Sequence, residues 1–572
     1  MKIEKLFSIL TVAFMVTSCL LSCNKEKQPG GGDDPDPEEE VTEINGTKIL
    51  EGNNAVGLIS DENGKGIEGV PVTDGYSYTT TDKNGVYQMK ANRYCRIVYM
   101  SVPSNYKIPV NSSTNTPEFF STKGFDSKKV NRNDFKLESQ AVEENFTMIM
   151  IGDPQCQSDS DVNRYKGETV PDIQATLNAN ASLYVNPYCV TLGDVTYDNI
   201  DMWEPMKKSM SNVKLQNGKY LLFFQCIGNH DHNSKIDGTD KDATQKFVDT
   251  FGPTDYSFNR GKVHVVVMDD ISVTSRKTNS SPNGATWEYD EDLTEQQVKW
   301  LTADLEQVKD KSDMTVFLCM HAPMRGAKSF TQQAKVLPLL SKFKYAHIMI
   351  GHTHYQQNYV HGNVSAGGNR IYEHIHGTAC GGWWCCNSSV TGSPCGYNIY
   401  QITQGNLVTN WILKGTGRQA DYQMRAYDGN KLLTGSKGYQ LYWYNTIQKA
   451  GAAGITVKGN ASFQNCVIAE IFDDDDLYWD VQFYQDGVSK GKLQKVANGG
   501  SCNVALANYF FNELGKNTDT WSNKTASHYW YFPAPGISTM NNWEIRAVQT
   551  IPDSGVQNTY SVGRLTNDNG EF

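Results

Sequence analysis

Five apolar runs in the middle of the chain stop abruptly at polar residues. Residues 146–151 end before Gly152-Asp153-Pro154-Gln155, 188–192 before Gly193-Asp194, and 220–227 before Gly228-Asn229-His230-Asp231. The runs 314–320 and 346–350 end before His321 and before Gly351-His352-Thr353-His354. A short continuous apolar run bounded by Gly reads as a buried strand, so five strands are expected to empty polar groups into one cleft at their carboxyl ends. Residues 263–268 supply a further strand. Between the runs lie helical patterns: Thr294 stands as an N-cap, Gln297 is placed to close a capping box, and Val298, Leu301 and Leu305 share one face. Strands alternating with helices predict a layered α/β core.

On either side the pattern changes. From 53 to 138, short β-branched runs are separated by Gly, Asp and Asn, and 56–72 and 80–89 are expected to form hairpins with Asn-Gly turns. After 396 the chain returns to alternating aromatic strands such as 439–444 and 478–484, which predict a second β-sandwich. The expected organisation is therefore an N-terminal β-sandwich over 53–140, an α/β domain over 143–395 and a β-rich domain over 396–572. The acidic run 473–476 lacks the ligand spacing of a calcium loop and is expected to be a solvated turn.

At the start, Lys2 and Lys5 precede the apolar stretch 6–16 and then Leu20-Leu21-Ser22-Cys23. The stretch is too short for a membrane span and reads as a secretory signal over 1–23. Its end resembles a bacterial lipobox, which implies a lipid on Cys23 and a place outside the cytoplasm, and Lys25, Glu26 and Lys27 just after it resemble the surface-export signals of some Gram-negative outer-membrane lipoproteins. Residues 24–52 include a Pro-, Gly- and Asp/Glu-rich stretch too polar to pack, expected to be a tether. The 572-residue length predicts several domains, and 39% hydrophobic with 20% charged residues marks the chain as globular. A net charge of −11 argues against binding to a nucleic-acid backbone.

The residues gathered by the five runs are hard oxygen donors (Asp153, Asp194, the amides of Gln155 and Asn229) and imidazoles (His321, His352, His354). This mixture suits a pair of divalent ions better than a thiolate-bound structural zinc. The order Asp-x-Gln, Gly-Asp, Gly-Asn-His-Asp, His, Gly-His-x-His resembles the calcineurin-like metallophosphoesterases over roughly residues 143 to 400. The resemblance implies a four-layer α/β/β/α sandwich and two manganese, iron or zinc ions. Asp153, Gln155, Asp194 and His354 would hold one ion, and Asp194 as bridge, Asn229, His321 and His352 the other. A bridging hydroxide would attack phosphorus while His230 protonates the leaving alkoxide, with Asp231 orienting His230 or capping a helix.

One departure is Gln155, where the family most often has His. The implied substrate is a phosphomonoester or phosphodiester on a small molecule, glycan or lipid headgroup. Tyr197, three residues after Asp194, matches the purple-acid branch, in which a phenolate binds ferric iron, while Asp198 occupies the position used by other branches. A scaffolding lipoprotein with a degenerate metal site is the reading from a different class. The Gly-rich, aromatic loop 377–386 is expected to wall the cleft or to pack on the next domain. Disulfides are permitted outside the cytoplasm, and Cys380, Cys385, Cys386 and Cys395 are nearest in sequence, with no pairing readable. His232, His374 and His376 receive no role.

Overall fold

The computed structural model describes residues 41–572, apart from 237, 278–285, 326–329, 363–369, 442, 444–447, 450–462, 474, 476–477, 498–500, 516–524 and 567–571. The signal segment and residues 24–40 of the expected tether lie outside the described residues; the rest of that stretch is folded rather than extended, since Glu43–Ile44 pairs with Thr47–Lys48 and Ile44 is buried. From Thr42 onward the chain is one compact unit.

The central strands are, in chain order, β1 (Phe146–Ile151), β2 (Pro187–Leu192), β3 (Leu222–Cys226), β4 (Tyr256–Arg260), β5 (Val263–Val267), β6 (Ile271–Lys277) and β7 (Thr286–Glu291). They continue with β8 (Thr315–Cys319), β9 (Tyr345–Ile350), β10 (Gln357–His361), β11 (Ile371–Ile375), β12 (Gly396–Thr403) and β13 (Leu407–Gly415). The helices are α1 (Asp159–Arg164), which runs through a π-helical turn into α2 (Val170–Ala179), then α3 (Trp203–Met210), α4 (Asp240–Phe251), α5 (Glu295–Gln307) and α6 (Gln333–Leu340). All five runs read from the sequence are strands, and the helix at 294 starts as expected, with Thr294 and Gln297 closing a capping box.

Two sheets face each other. The first has the order β3-β2-β1-β12-β13 and the second β4-β5-β8-β9-β11-β10. Strands β1, β2 and β3 pair in parallel, as do β5, β8, β9 and β11. The alternation along β1 builds the layers: Met148 and Met150 join the core shared with the second sheet, whereas Ile149 and Ile151 pack with Val162, Ile173, Leu177, Trp203 and Met206 of the helices. On the other side Val298, Leu301 and Leu305 of α5 and Val336 and Leu340 of α6 cover the second sheet. The result is the four-layer α/β/β/α sandwich. Its first sheet draws on chain that the sequence reading placed in the C-terminal domain, because β12 pairs antiparallel with β1 and β13 with β12.

The N-terminal region forms a sandwich, but its strands pair differently from the expectation. Ala55–Ser60 pairs with Val86–Met89, while Pro71–Thr73 pairs with Tyr78–Thr80 in a separate sheet. The Asn-Gly turns exist, with Gly64 at φ +82° and Gly85 at φ +79°; the first closes a short antiparallel bridge, Ser60 against Gly66, before the chain crosses to the other sheet, and the second links strands of different sheets. A positive φ fixes a turn and leaves open which strand the chain meets beyond it. The C-terminal region has two antiparallel four-stranded sheets enclosing Val467, Ala469, Ile471, Val481, Phe483, Ile545 and Ala547.

The acidic run is not a solvated turn. Asp473 is buried and accepts hydrogen bonds from Gln356 Nε2 (2.7 Å), Asn358 Nδ2 (3.0 Å) and Gln549 Nε2 (3.4 Å). Asp475 is buried too and accepts from the Tyr478 backbone, while 474 and 476 lie outside the described residues. Asp473 is packed at the junction with the α/β core, where side-chain amides replace water.

Candidate metal centre

The carboxyl ends of β1, β2, β3, β8 and β9 deliver Asp153, Gln155, Asp194, Asn229, His230, His321, His352 and His354 to one place, and backbone conformation lets them crowd there. Asp153, Gln155, Asp194, His352 and His354 have φ of 46°, 44°, 49°, 65° and 61°. Left-handed backbone at a non-glycine residue costs on the order of 1–3 kcal/mol and collects at functional sites. Glycines open the remaining space. A Cβ on Gly193 would stand 2.5 Å from His321 Nδ1, one on Gly228 2.3 Å from Asp194 Oδ1, and one on Gly351 2.8 Å from Asp153 Oδ2.

On one side, Asn229 Oδ1 lies 3.0 Å from His321 Nε2 and 3.0 Å from His352 Nδ1, those two nitrogens are 3.2 Å apart, and His321 Nε2 is 3.4 Å from Asp194 Oδ2. Asp194, His321 and His352 thus present one donor atom each within the span of a single ion. On the other side, His354 Nε2 is 3.5 Å from Asp153 Oδ1, and Gln155 Nε2 donates to Asp194 Oδ2 at 2.9 Å. Two further atoms here, Gln155 Oε1 and His354 Nδ1, are buried without a hydrogen-bond partner. Buried polar atoms left unpaired are costly, and a carbonyl oxygen and an imidazole nitrogen suit a cation, so the donor set fits divalent metal.

The electrostatics point the same way. Burial opposes charge on both Asp194 and His321, yet their attraction prevails: Asp194 is held well below the usual carboxylate range and His321 is pushed up to about 10. A place that favours imidazolium beside carboxylate is one where a divalent ion can displace the protons.

His230 stands at the rim. Its backbone N–H donates to Asp194 Oδ1 at 2.8 Å, its Nδ1 meets Asp198 Oδ1 at 2.9 Å, and Tyr197 stacks on its ring with centroids 4.1 Å apart. Burial lowers its pKa, but Asp194 and the Asp198 hydrogen bond raise it to about 9. The residue that orients His230 is thus Asp198. Asp231 is wholly buried and accepts from the backbone of Val195, Thr196 and Gly228 and from Trp203 Nε1, tying the Gly-Asp and Gly-Asn-His-Asp turns together. The bond from Gly228 N also caps the 3-10 turn Asn229–Asp231, so of the two expected roles Asp231 takes the capping one and leaves the orienting of His230 to Asp198.

The loop 377–386 lies against the turn after β1: Ala379 N donates to Gly152 O at 2.7 Å, Trp384 Nε1 donates to Pro154 O at 3.0 Å, and the Trp383 ring sits 4.8 Å from that of His354. The unassigned histidines are structural. His232 Nδ1 bonds Gly228 O, His374 lies between Asn358 and His347, and His376 between Ile350 O and Tyr400. Two supports escaped the sequence reading. Asp270 accepts from the His321 and Ala322 backbone at 2.9 Å each, and Glu291 Oε1 lies 3.2 Å from His352 Nε2.

Facing sheets between helices thus gather carboxylates, amides and imidazoles where parallel strands end, a donor set suited to divalent metal. The chain belongs to the calcineurin-like phosphoesterases. The profile described as calcineurin-like phosphoesterase matches residues 147–356, and those described as the N terminal and C terminal of calcineurin-like phosphoesterase match 53–140 and 373–551. No curated protein matches.

Among solved structures, the chain is similar to purple acid phosphatase PPD1 from yellow lupin seeds at 11% identity and TM-score 0.29, covering 47% of this chain and 53% of that one. It is also similar to the Haemophilus influenzae NAD nucleotidase at 12% identity and TM-score 0.25, covering 48% and 49%. The matched region thus spans about half the length of each. Likenesses this distant add nothing to the assignment, which rests on the family profiles.

Proposed function

We propose that this chain hydrolyses a phosphomonoester or phosphodiester at a two-ion centre, with Asp153, Gln155, Asp194 and His354 holding one ion and Asp194, Asn229, His321 and His352 the other. The observation that carries the reading is the convergence of these seven donors around Asp194, with an acid-competent His230 beside them. Two divalent ions held there supply positive charge for phosphoryl oxygens and lower the pKa of water. The chain's own residues do the rest. Asp194 is the donor that touches both groups of ligands, and the glycines let the imidazoles approach it. His230, kept protonated by Asp194 and Asp198, stands ready to give its proton to a leaving alkoxide. Trp383 and Tyr197 present rings at the edges of the cleft, suited to the non-phosphate part of a small molecule, glycan or lipid headgroup. The lipobox-like segment supports attachment of the protein to a membrane outside the cytoplasm.

The test loads purified protein with manganese, iron or zinc, counts the ions and offers a broad panel of phosphoesters. Two ions per chain and phosphate release are expected. Fewer than one ion, or no turnover of any ester, would sink the proposal in favour of a scaffolding role. Replacing Cys23 by Ser should move the protein from the membrane fraction to the soluble one.

A further inference from the structure

The contact between His352 and Glu291 reaches beyond the donors that the motifs supply. His352 turns Nδ1 inward, 3.0 Å from Asn229 Oδ1 and 3.2 Å from His321 Nε2. Its Nε2 is then the nitrogen left to carry the proton, and that atom lies 3.2 Å from Glu291 Oε1. Glu291 is the last residue of β7, in a hairpin with β6 that stands apart from both sheets of the sandwich. At the start of the same hairpin, Asp270 uses both carboxylate oxygens to take the backbone N–H groups of His321 and Ala322. One hairpin base therefore grips the backbone of one histidine and the ring of the other.

We propose that Glu291 is a positioning residue for the ion held by Asp194, Asn229, His321 and His352, fixing His352 in the tautomer and ring orientation that aim Nδ1 at the ion. The inference rests on the two-ion reading. A ligating imidazole whose far N–H is held by a carboxylate keeps its orientation and gains basicity, and loss of such a partner weakens metal binding by roughly 10–100-fold. The competing reading is a rim ion pair. The side chains of His352 and Glu291 are 21% and 29% exposed, and exposed pairs contribute little. That reading predicts no change in ion affinity.

Two variants separate the readings. Glu291→Ala removes the acceptor, whereas Glu291→Gln keeps a carbonyl oxygen that His352 Nε2–H can still use. Protein loaded with cobalt is titrated with a chelator while bound metal is counted and the visible ligand-field spectrum is followed. Glu291→Ala is expected to release one ion at roughly 10–100-fold lower chelator concentration with an altered spectrum, to keep the ion of Asp153, Gln155 and His354, and to be largely rescued in Glu291→Gln. Wild-type release and an unchanged spectrum in Glu291→Ala would overturn the inference, as would equal loosening of both ions. Wild-type protein that holds no pair of ions would overturn the two-ion reading and Glu291 with it, whereas a two-ion wild type indifferent to Glu291→Ala overturns Glu291 alone.

Discussion

Asp194 and Asp198 raise the His230 pKa against the cost of burying it. His230→Ala should leave both ions in place and slow turnover by about 10²- to 10⁴-fold, the usual contribution of a general acid. The loss should shrink for a nitrophenyl ester, whose leaving group needs no proton; equal losses for good and poor leaving groups would contradict the assignment. Asp198→Asn removes one of the charges that raise the His230 pKa. Since an acid works only below its pKa, the alkaline limb of the kcat/KM profile should move to lower pH, and an unmoved limb would exclude this pair. Gln155 offers an amide where the family most often has imidazole. In Gln155→His, the ion at Asp153 and His354 should resist chelation longer and prefer zinc more strongly; unchanged stepwise loss would mean that Gln155 is no ligand. The gathering of the seven proposed ligand side chains at one place was legible because each lies just past the end of an apolar run. The partners of these residues were not: Asp198 lies 32 residues from His230 and Glu291 lies 61 from His352, and no local pattern records a contact made across that separation.

At the level of elements, the strand ends are where the backbone departs from ordinary conformations. At Gly193, with φ +85° and His321 Nδ1 2.5 Å from where a Cβ would sit, another residue could neither adopt the backbone easily nor find room for its side chain. Gly193→Ala should destabilise the protein by more than about 2 kcal/mol, read as a lower unfolding midpoint, and should weaken retention of the ion at His321. Wild-type values of both would show that the turn relaxes freely. Period and length made the parallel strands and α5 readable. The pairings in the N-terminal sandwich were not readable, since a tight turn says nothing of the sheet that takes the next strand. That β12 and β13 complete the first sheet was hidden for a related reason. Gly396-Tyr-Asn-Ile-Tyr-Gln-Ile-Thr403 alternates like any antiparallel strand, and only its register on β1 reveals which sheet it completes.

Across the whole molecule, the flanking sandwiches are bolted to the catalytic core by buried polar contacts. Tyr78 OH donates to Asp304 on α5, Tyr99 OH donates to Asp255 O, and His347 meets Asp553 at 2.9 Å. Asp473 holds Gln356, two residues beyond His354, and His528 bonds the Gln356 carbonyl. Asp473→Ala would strand three amide donors, a loss of about 3 kcal/mol or more. It should lower thermal stability and loosen the ion at His354 although the site lies in another domain; a change in stability alone would show that the C-terminal sandwich does not reach the centre. The late arrival of β12 also gives the molecule a history in time. Strand β1 must wait for about 250 further residues before its antiparallel neighbour exists, on the order of 10–50 s at ordinary rates of synthesis. Throughout that interval one side of the innermost strand offers bare N–H and C=O groups to any passing chain. Shortened chains ending at residue 395 should therefore precipitate, whereas those ending after residue 415 carry the strand that closes the exposed edge.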